Sequence, residues 1–134
     1  MIRFLLADDE PHIRNWIEHK ADFEAAGITE CNAFDDGDTA LAAFQEQSFD
    51  ILLTDVRMPR MDGPTLAEKA RELNPDVVIL FLSAYSDKEY YRTSLQLHAA
   101  TFIEKPIDLE ELNQAILEAA QEVRRRRREI QNET

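Results

Sequence analysis

A single cysteine, Cys31, leaves no internal disulfide to be formed and points to a reducing, intracellular setting. No apolar run approaches the roughly 18 residues of a membrane span. The amino-terminal stretch is short and has charges close behind it, unlike a secretory leader. Basic side chains are scarce, 15 against 27 acidic ones, for a formal charge of -12. The last eleven residues hold five of the arginines, Arg124 to Arg128, and only two glutamates, so the rest of the chain carries -15. So acidic a body repels nucleic acid and anionic lipid and favours basic partners or cations. No direct nucleic-acid binding by the domain and no membrane association are expected. None of the three glycines belongs to a Walker loop or a dinucleotide fingerprint, and no nucleophile elbow or zinc-ligand spacing is present. The expectation is a soluble, cytoplasmic protein.

What the chain does have is regular apolar patterning. With 134 residues and 44% apolar content it can bury one proper core. Ile2 to Ala7 is too short for a helix and reads as a strand buried on both faces. After Glu10-Pro11, Ile13, Trp16, Ile17 and Phe23 recur at roughly helical spacing up to Gly27. Thr29 to Phe34 is a weak strand, and Asp36-Gly37-Asp38 caps a second helix marked by Ala40, Leu41, Ala43 and Phe44. Ile51 to Thr54 is a short apolar strand; Gly63-Pro64 then opens a third helix with Leu66, Ala67, Ala70 and Leu73 inward, stopped at Asn74-Pro75. Val77 to Leu82 is a β-branched strand, Ser86-Asp87 caps a fourth helix ending near Leu97, and Thr101 to Glu104 is a last short strand. Asp108 caps a final helix from Leu109 onward. Strand and helix alternate five times without a hairpin signal, which predicts an α/β fold: one parallel sheet covered by helices on both faces.

Three of these strands end on charged groups. Asp55 closes the third, Asp8 and Asp9 follow the first, and Lys105 follows the last. Open α/β sheets bind their ligands at the carboxyl ends of strands, so parallel neighbours would bring all four groups to one edge. Two carboxylates about 5 Å apart repel by roughly 3 kcal/mol at an effective dielectric near 20, and a third worsens the cluster. Such a site calls for a divalent cation, and hard oxygen ligands with open positions suit Mg²⁺.

The segments LADDEP, LLTDVRMPRMDG, LFLSAYSD and TFIEKPIDLEEL, in that order and at these spacings, resemble the receiver domain of two-component response regulators, as in the bacterial chemotaxis regulator. The resemblance covers residues 1–120, with 121–134 as a helical extension or linker. It implies a five-stranded sheet of order 2-1-3-4-5 in a flavodoxin-like three-layer sandwich. It also implies a phosphoacceptor switch. Asp55 would take a phosphoryl group from a sensor histidine kinase or phosphotransfer protein, forming an aspartyl phosphate. Asp9 and Asp55 would ligate Mg²⁺ directly, Asp8 largely through water, and the Arg57 backbone carbonyl would complete the set. Lys105 and the Ser83 hydroxyl would meet phosphoryl oxygens. Ser83 and Phe102 would form the switch, shifting the face made by the fourth helix, fifth strand and fifth helix; Phe102 lacks the hydroxyl of the tyrosine often found there. The Lys105-Pro106 bond is expected to be cis. Arg60 stands where glycine is frequent in the family and His98 where glycine usually precedes the last strand, while Arg57 and Tyr85 occupy variable positions. Beyond its own phosphorylation and dephosphorylation no enzyme activity is implied.

Blander readings apply elsewhere. His12, His19 and His98 show no ligand spacing and read as surface residues; Cys31 reads as a small buried hydrophobe and Trp16 as core. Leu112, Ile116, Ala119, Val123 and Ile130 keep 4-3 spacing with Arg126 interrupting, so the last helix should run past the domain edge. Five successive arginines spread around a helix and read as a solvated linker, either a connector to an output domain or a segment pairing with its twin in a dimer. A Mg²⁺-dependent aspartyl-phosphate phosphatase of the haloacid dehalogenase type would use similar groups, but it places an acid two residues after the nucleophile, where this chain has Arg57. A receiver-like binding module working without phosphorylation is disfavoured by the intact set of clustered acids.

Overall fold

The computed structural model describes residues 1–84 and 101–133. Its elements are β1 (Ile2–Ala7), α1 (Pro11–Lys20), β2 (Ile28–Phe34), α2 (Gly37–Glu46), β3 (Ile51–Asp55), α3 (Gly63–Leu73), β4 (Val78–Ser83), β5 (Thr101–Glu104) and a C-terminal helix (Leu109–Glu133). The fourth helix expected near 86–97 lies outside the described residues, as do Tyr85 and His98. All strand pairs are parallel and the sheet order is β2-β1-β3-β4-β5, the order the resemblance implied. No helix among the described residues is long and apolar enough to cross a membrane.

Alternation along the strands divides the core into two layers. Phe4, Leu6, Ile51, Leu53, Leu80 and Leu82 pack with Ile17 of α1 and Leu112 and Ile116 of the C-terminal helix. Leu5, Leu52, Ile79 and Phe81 face the other way, onto Ala40 and Phe44 of α2 and Leu66, Ala67 and Ala70 of α3. The central strands are apolar through most of their length because both of their faces are covered; Arg3 stands near the start of β1, and Thr54, Asp55 and Ser83 stand where β3 and β4 finish. Caps fix the helix starts: Asp36 accepts from the Thr39 N–H (2.8 Å), Asp62 from Thr65 (2.9 Å) and Asp108 from Glu111 (3.1 Å).

Four local expectations change. The first helix stops at Lys20 and not near Gly27, because Asp22 turns the chain: its side chain accepts from the Ala25 N–H and its own N–H goes to Asn113 Oδ1. Phe23 still reaches the core, edge-on to Phe4 with ring centroids 5.1 Å apart, from this turn. Leu73, read as inward, is 49% exposed at the last residue of α3; the inward contact there comes from Asn74, whose Nδ2 donates to the Phe49 carbonyl at 3.1 Å. Cys31 is half-buried on the edge strand β2, and burial pushes its thiol up to about 12. Trp16 is likewise half-buried, packed on the margin of the core.

The tail departs furthest from the sequence reading. The C-terminal helix is continuous over 25 residues, about 37 Å at 1.5 Å per residue. Its 4-3 seam faces its own domain: Leu112, Ile116, Ala119 and Val123 are buried in the first core layer, and of the seam only Ile130 is exposed. Three of the five arginines, only partly exposed, donate to main-chain carbonyls at the opening ends of strands. Arg124 reaches Ala26 (2.7 Å), Arg126 reaches Asp76 (2.9 Å) and Val77 (3.2 Å), and Arg127 reaches Met1 (2.8 Å). Arg127 also pairs with Asp50 at 3.0 Å, and the other Asp50 oxygen accepts from the Arg3 N–H at 2.9 Å. Spreading five arginines around a helix thus lets neighbours reach strand ends in different directions.

Two outcomes check this packing. Leu53→Ala should cost about 3 kcal/mol in urea denaturation, whereas Leu73→Ala should stay within about 0.5 kcal/mol. Replacing Arg126 and Arg127 together by alanine should raise amide hydrogen exchange across 121–133 at least about fivefold, each lost bond weakening closure by on the order of 1 kcal/mol, while 109–120 keeps its protection.

Candidate functional site

The parallel register brings the carboxyl ends of β1, β3, β4 and β5 to one edge: Ala7 pairs with Thr54, Asp55 with Leu82 and Ser83 with Glu104. Asp55 is the last residue of β3 and Ser83 of β4; Asp8 and Asp9 directly follow β1, and Lys105 follows β5. One carboxylate oxygen from each of Asp8, Asp9, Glu10 and Asp55 lies within 4.8 Å of all the others. Lys105 Nζ sits among them, 3.1 Å from Asp55 Oδ2, 3.3 Å from Asp8 Oδ2 and 3.7 Å from Glu10 Oε1. Glu10 was not anticipated as a member of the site. It directly follows Asp8 and Asp9, but its position before Pro11 marks it first as a helix start.

Asp8 is fully buried and held at several points. Its N–H donates to the Phe34 carbonyl (3.1 Å), its carbonyl accepts from Arg14 (2.7 Å), and Oδ1 accepts from the Glu10 N–H (2.9 Å). Among the described residues, Asp8 Oδ2 makes no hydrogen bond and has only Lys105 at ion-pair distance. Burial pushes Asp8 above the ordinary carboxylate range, against the pull of the Glu10 N–H and Lys105. Burial, then the neighbouring charge of Asp8, raises Asp55 to about 6 in spite of Lys105. Burial would depress Lys105, but the charges of Asp55 and Asp8 outweigh it and leave the ammonium more firmly protonated. Among the described residues, four carboxylates against one ammonium, with a buried oxygen short of a donor, form an oxygen-rich cluster that fits a hard divalent cation.

The 56–62 loop beneath Asp55 is closed by two main-chain bonds, Val56 N–H to the Leu82 carbonyl (3.0 Å) and Gly63 N–H to the Val56 carbonyl (2.9 Å). Gly63 admits no side chain, since a Cβ there would stand 2.2 Å from the Asp55 carbonyl oxygen. Arg60, where glycine is frequent, has φ +68°, a left-handed conformation that costs a non-glycine residue about 1–2 kcal/mol. Its guanidinium pairs with Asp36 and, at 3.6 Å, with Asp38. Arg57 lies two residues beyond Asp55 with its side chain exposed.

On the other side, Ser83 is buried and its carbonyl accepts from the Lys105 N–H at 2.9 Å, joining the hydroxyl-bearing strand to the lysine. The Lys105-Pro106 bond is cis, as expected. Phe102 is half-buried and stacked on Phe81, with centroids 5.3 Å apart and planes 20° apart. His12 and His19 are exposed, far in character from ligands.

Comparison with known proteins gives a consistent result. Residues 4–117 match the family model described as the response regulator receiver domain. The chain is 34% identical over 106 residues to the DNA-binding transcriptional regulator NtrC of Salmonella typhimurium, covering 79% of this chain and 22% of NtrC. It is 34% identical over 112 residues to the response regulator receiver protein CpdR of Brucella abortus, covering 84% of this chain and 91% of CpdR. A crystal structure of a two-component transcriptional regulator AraC from Clostridium phytofermentans superposes with a TM-score of 0.88 at 36% identity, over 93% of this chain and 97% of that one. The chain thus spans 22% of NtrC and 42% of a staphylococcal response regulatory protein, but most of CpdR.

The raised Asp55 pKa sets a pH dependence. The folded state holds the Asp55 proton more tightly than the unfolded chain, whose value is about 3.9, so this contribution to stability is complete below about pH 4 and lost as pH rises through about 6. With metal removed by chelator, Asp55→Asn should therefore be more stable than wild type at pH 7.5, by up to about 3 kcal/mol, and the difference should vanish near pH 4 in denaturant titrations. Gly63→Ala should cost about 1–3 kcal/mol in the same assay, because the added methyl meets backbone and not a flexible side chain.

Proposed function

The chain belongs to the response regulator receiver domain family of two-component systems, and from that premise we propose that it is a phosphoacceptor switch with Asp55 as the acceptor. The observation that carries this reading is the ammonium of Lys105, 3.1 Å from Asp55 Oδ2 inside a ring of three further carboxylates. An Asp55 carboxylate oxygen attacks the phosphorus of a phosphohistidine; the new O–P bond forms as the P–N bond breaks, and the electron pair leaves with the donor's imidazole nitrogen. The donor is a sensor histidine kinase or a phosphotransfer protein. Lys105, tethered through its N–H to Ser83, and the Ser83 hydroxyl take the phosphoryl oxygens. Asp8, Asp9 and Asp55 with the Arg57 carbonyl would hold Mg²⁺, and the unbonded Asp8 Oδ2 supports a cation there. When bound, Mg²⁺ supplies positive charge that offsets the clustered carboxylates and the phosphoryl oxygens.

The consequence is a change in equilibrium between two states. A phosphoryl group on Asp55 draws in the Ser83 hydroxyl, and Phe102, at the margin of the core against Phe81, moves into the space released. Residues 1–120 are the receiver and 121–134 its helical extension. The extension suits either a connector to an output module, for which relatives named as transcriptional regulators suggest DNA binding, or pairing with its twin in a homodimer. The chain's chemistry is confined to its own phosphoryl group, in the cytoplasm.

Incubation with acetyl phosphate and Mg²⁺, followed by intact-mass analysis and peptide mapping, tests the assignment. One phosphoryl group should appear on the peptide containing Asp55, chelator should prevent it, and Asp55→Asn should stay unmodified. Equal labelling of wild type and Asp55→Asn would remove Asp55 from the role. Lys105→Ala should slow the reaction by about a hundredfold or more, in line with the loss of one positioned charge.

A further inference from the structure

Arg60 is the one non-glycine residue with positive φ among the described residues, and it sits in the loop that follows Asp55. A residue persists in that conformation where the surroundings over-determine it. Its guanidinium pairs with Asp36, which is itself buried and already fixed as the cap of α2 by the Thr39 N–H and hydroxyl at 2.8 and 2.9 Å. One residue on, the loop presses Met61 against the start of α2, where a Cβ on Gly37 would lie 2.8 Å from both the Met61 Cβ and carbonyl oxygen. Asp36 in turn is two residues from Phe34, whose carbonyl holds the N–H of Asp8. A closed circuit results: Asp8 to the end of β2, to Asp36, to Arg60, and back along the loop to Asp55.

We propose that Arg60 is a positioning residue, which through Asp36 fixes the loop carrying the Arg57 carbonyl relative to Asp8 and Asp55 and so strengthens Mg²⁺ binding at the acidic site. This rests on the reading of that site as the Mg²⁺ and acceptor centre. The side chain touches neither metal nor phosphoryl group. Its effect is to remove alternative positions of the loop before the ion arrives, so that less ordering accompanies binding. Glycine at this position would relieve the backbone but supply no anchor, so the two roles of the residue can be separated.

The test compares wild type, Arg60→Gly, Asp36→Asn and Asp55→Asn. Asp36→Asn keeps an acceptor for the Thr39 N–H while removing the nearer and buried of the two charges that Arg60 meets, leaving the exposed Asp38 at 3.6 Å. Mg²⁺ affinity is measured by isothermal titration calorimetry, and hydrogen exchange of residues 56–63 is measured in chelator. Arg60→Gly and Asp36→Asn, both still folded by circular dichroism, should each weaken Mg²⁺ binding about fivefold and should raise exchange in 56–63 even without metal. Mg²⁺ affinity within twofold of wild type in both variants, or unchanged exchange, would overturn the inference while leaving the acceptor site in place. Mg²⁺ affinity that is the same in wild type and Asp55→Asn would overturn the underlying reading, and this inference with it.

Discussion

The structure turns on a repulsion that the fold cannot relax. Parallel strands must all finish at the same edge, and three of them finish on charged groups, so Asp8, Asp9, Glu10 and Asp55 are forced within 4.8 Å of one another with the Lys105 ammonium among them. Burial sharpens the conflict, since Asp8 and Asp55 are both removed from water and both become reluctant acids. Such an arrangement lowers the stability of the protein alone and raises its response to anything positive that enters. Sensitivity of this kind is what a switch driven by charge needs.

The surroundings are correspondingly stiff. Asp8 is fixed by three hydrogen bonds from or to its own main chain and side chain, and the Asp55 loop is closed at Val56 and Gly63. Lys105 is joined to β4 through the Ser83 carbonyl. Rigid walls keep the like charges in place where a softer site would let them separate. The half-buried stack of Phe102 on Phe81 lies in the second core layer, the one that also contains α2 and α3.

Much of this was legible in the chain because it depends on strand ends. A run such as Ile2 to Ala7 followed by acids fixes both the strand and where its charges lie, and the five-fold alternation fixes the parallel sheet. The order of the strands came from the family resemblance, since apolar periodicity does not rank neighbours. Other features depend on contacts between distant residues and left no local mark. The end of α1 at Lys20 depends on Asn113, ninety-one positions away from its partner Asp22. Leu73 has the spacing of a core residue and lies exposed at the helix end. Glu10 carried two signals, and its place at a helix start obscured its place in the acidic cluster. The arginine run misled because composition reports charge and not reach.

That run has a further consequence for mutational tolerance. Arg124, Arg126 and Arg127 fasten the last helix to oxygen atoms that every amino acid possesses, those of Ala26, Asp76, Val77 and Met1. The joint itself asks nothing of the side chains at those receiving positions, whereas the donors have no equivalent substitute. Tolerance to substitution at this joint is therefore lopsided: the helix must keep its guanidinium groups, while the strand beginnings answer only to their own packing, strict at the buried Ala26 and Val77 and loose at the exposed Met1 and Asp76.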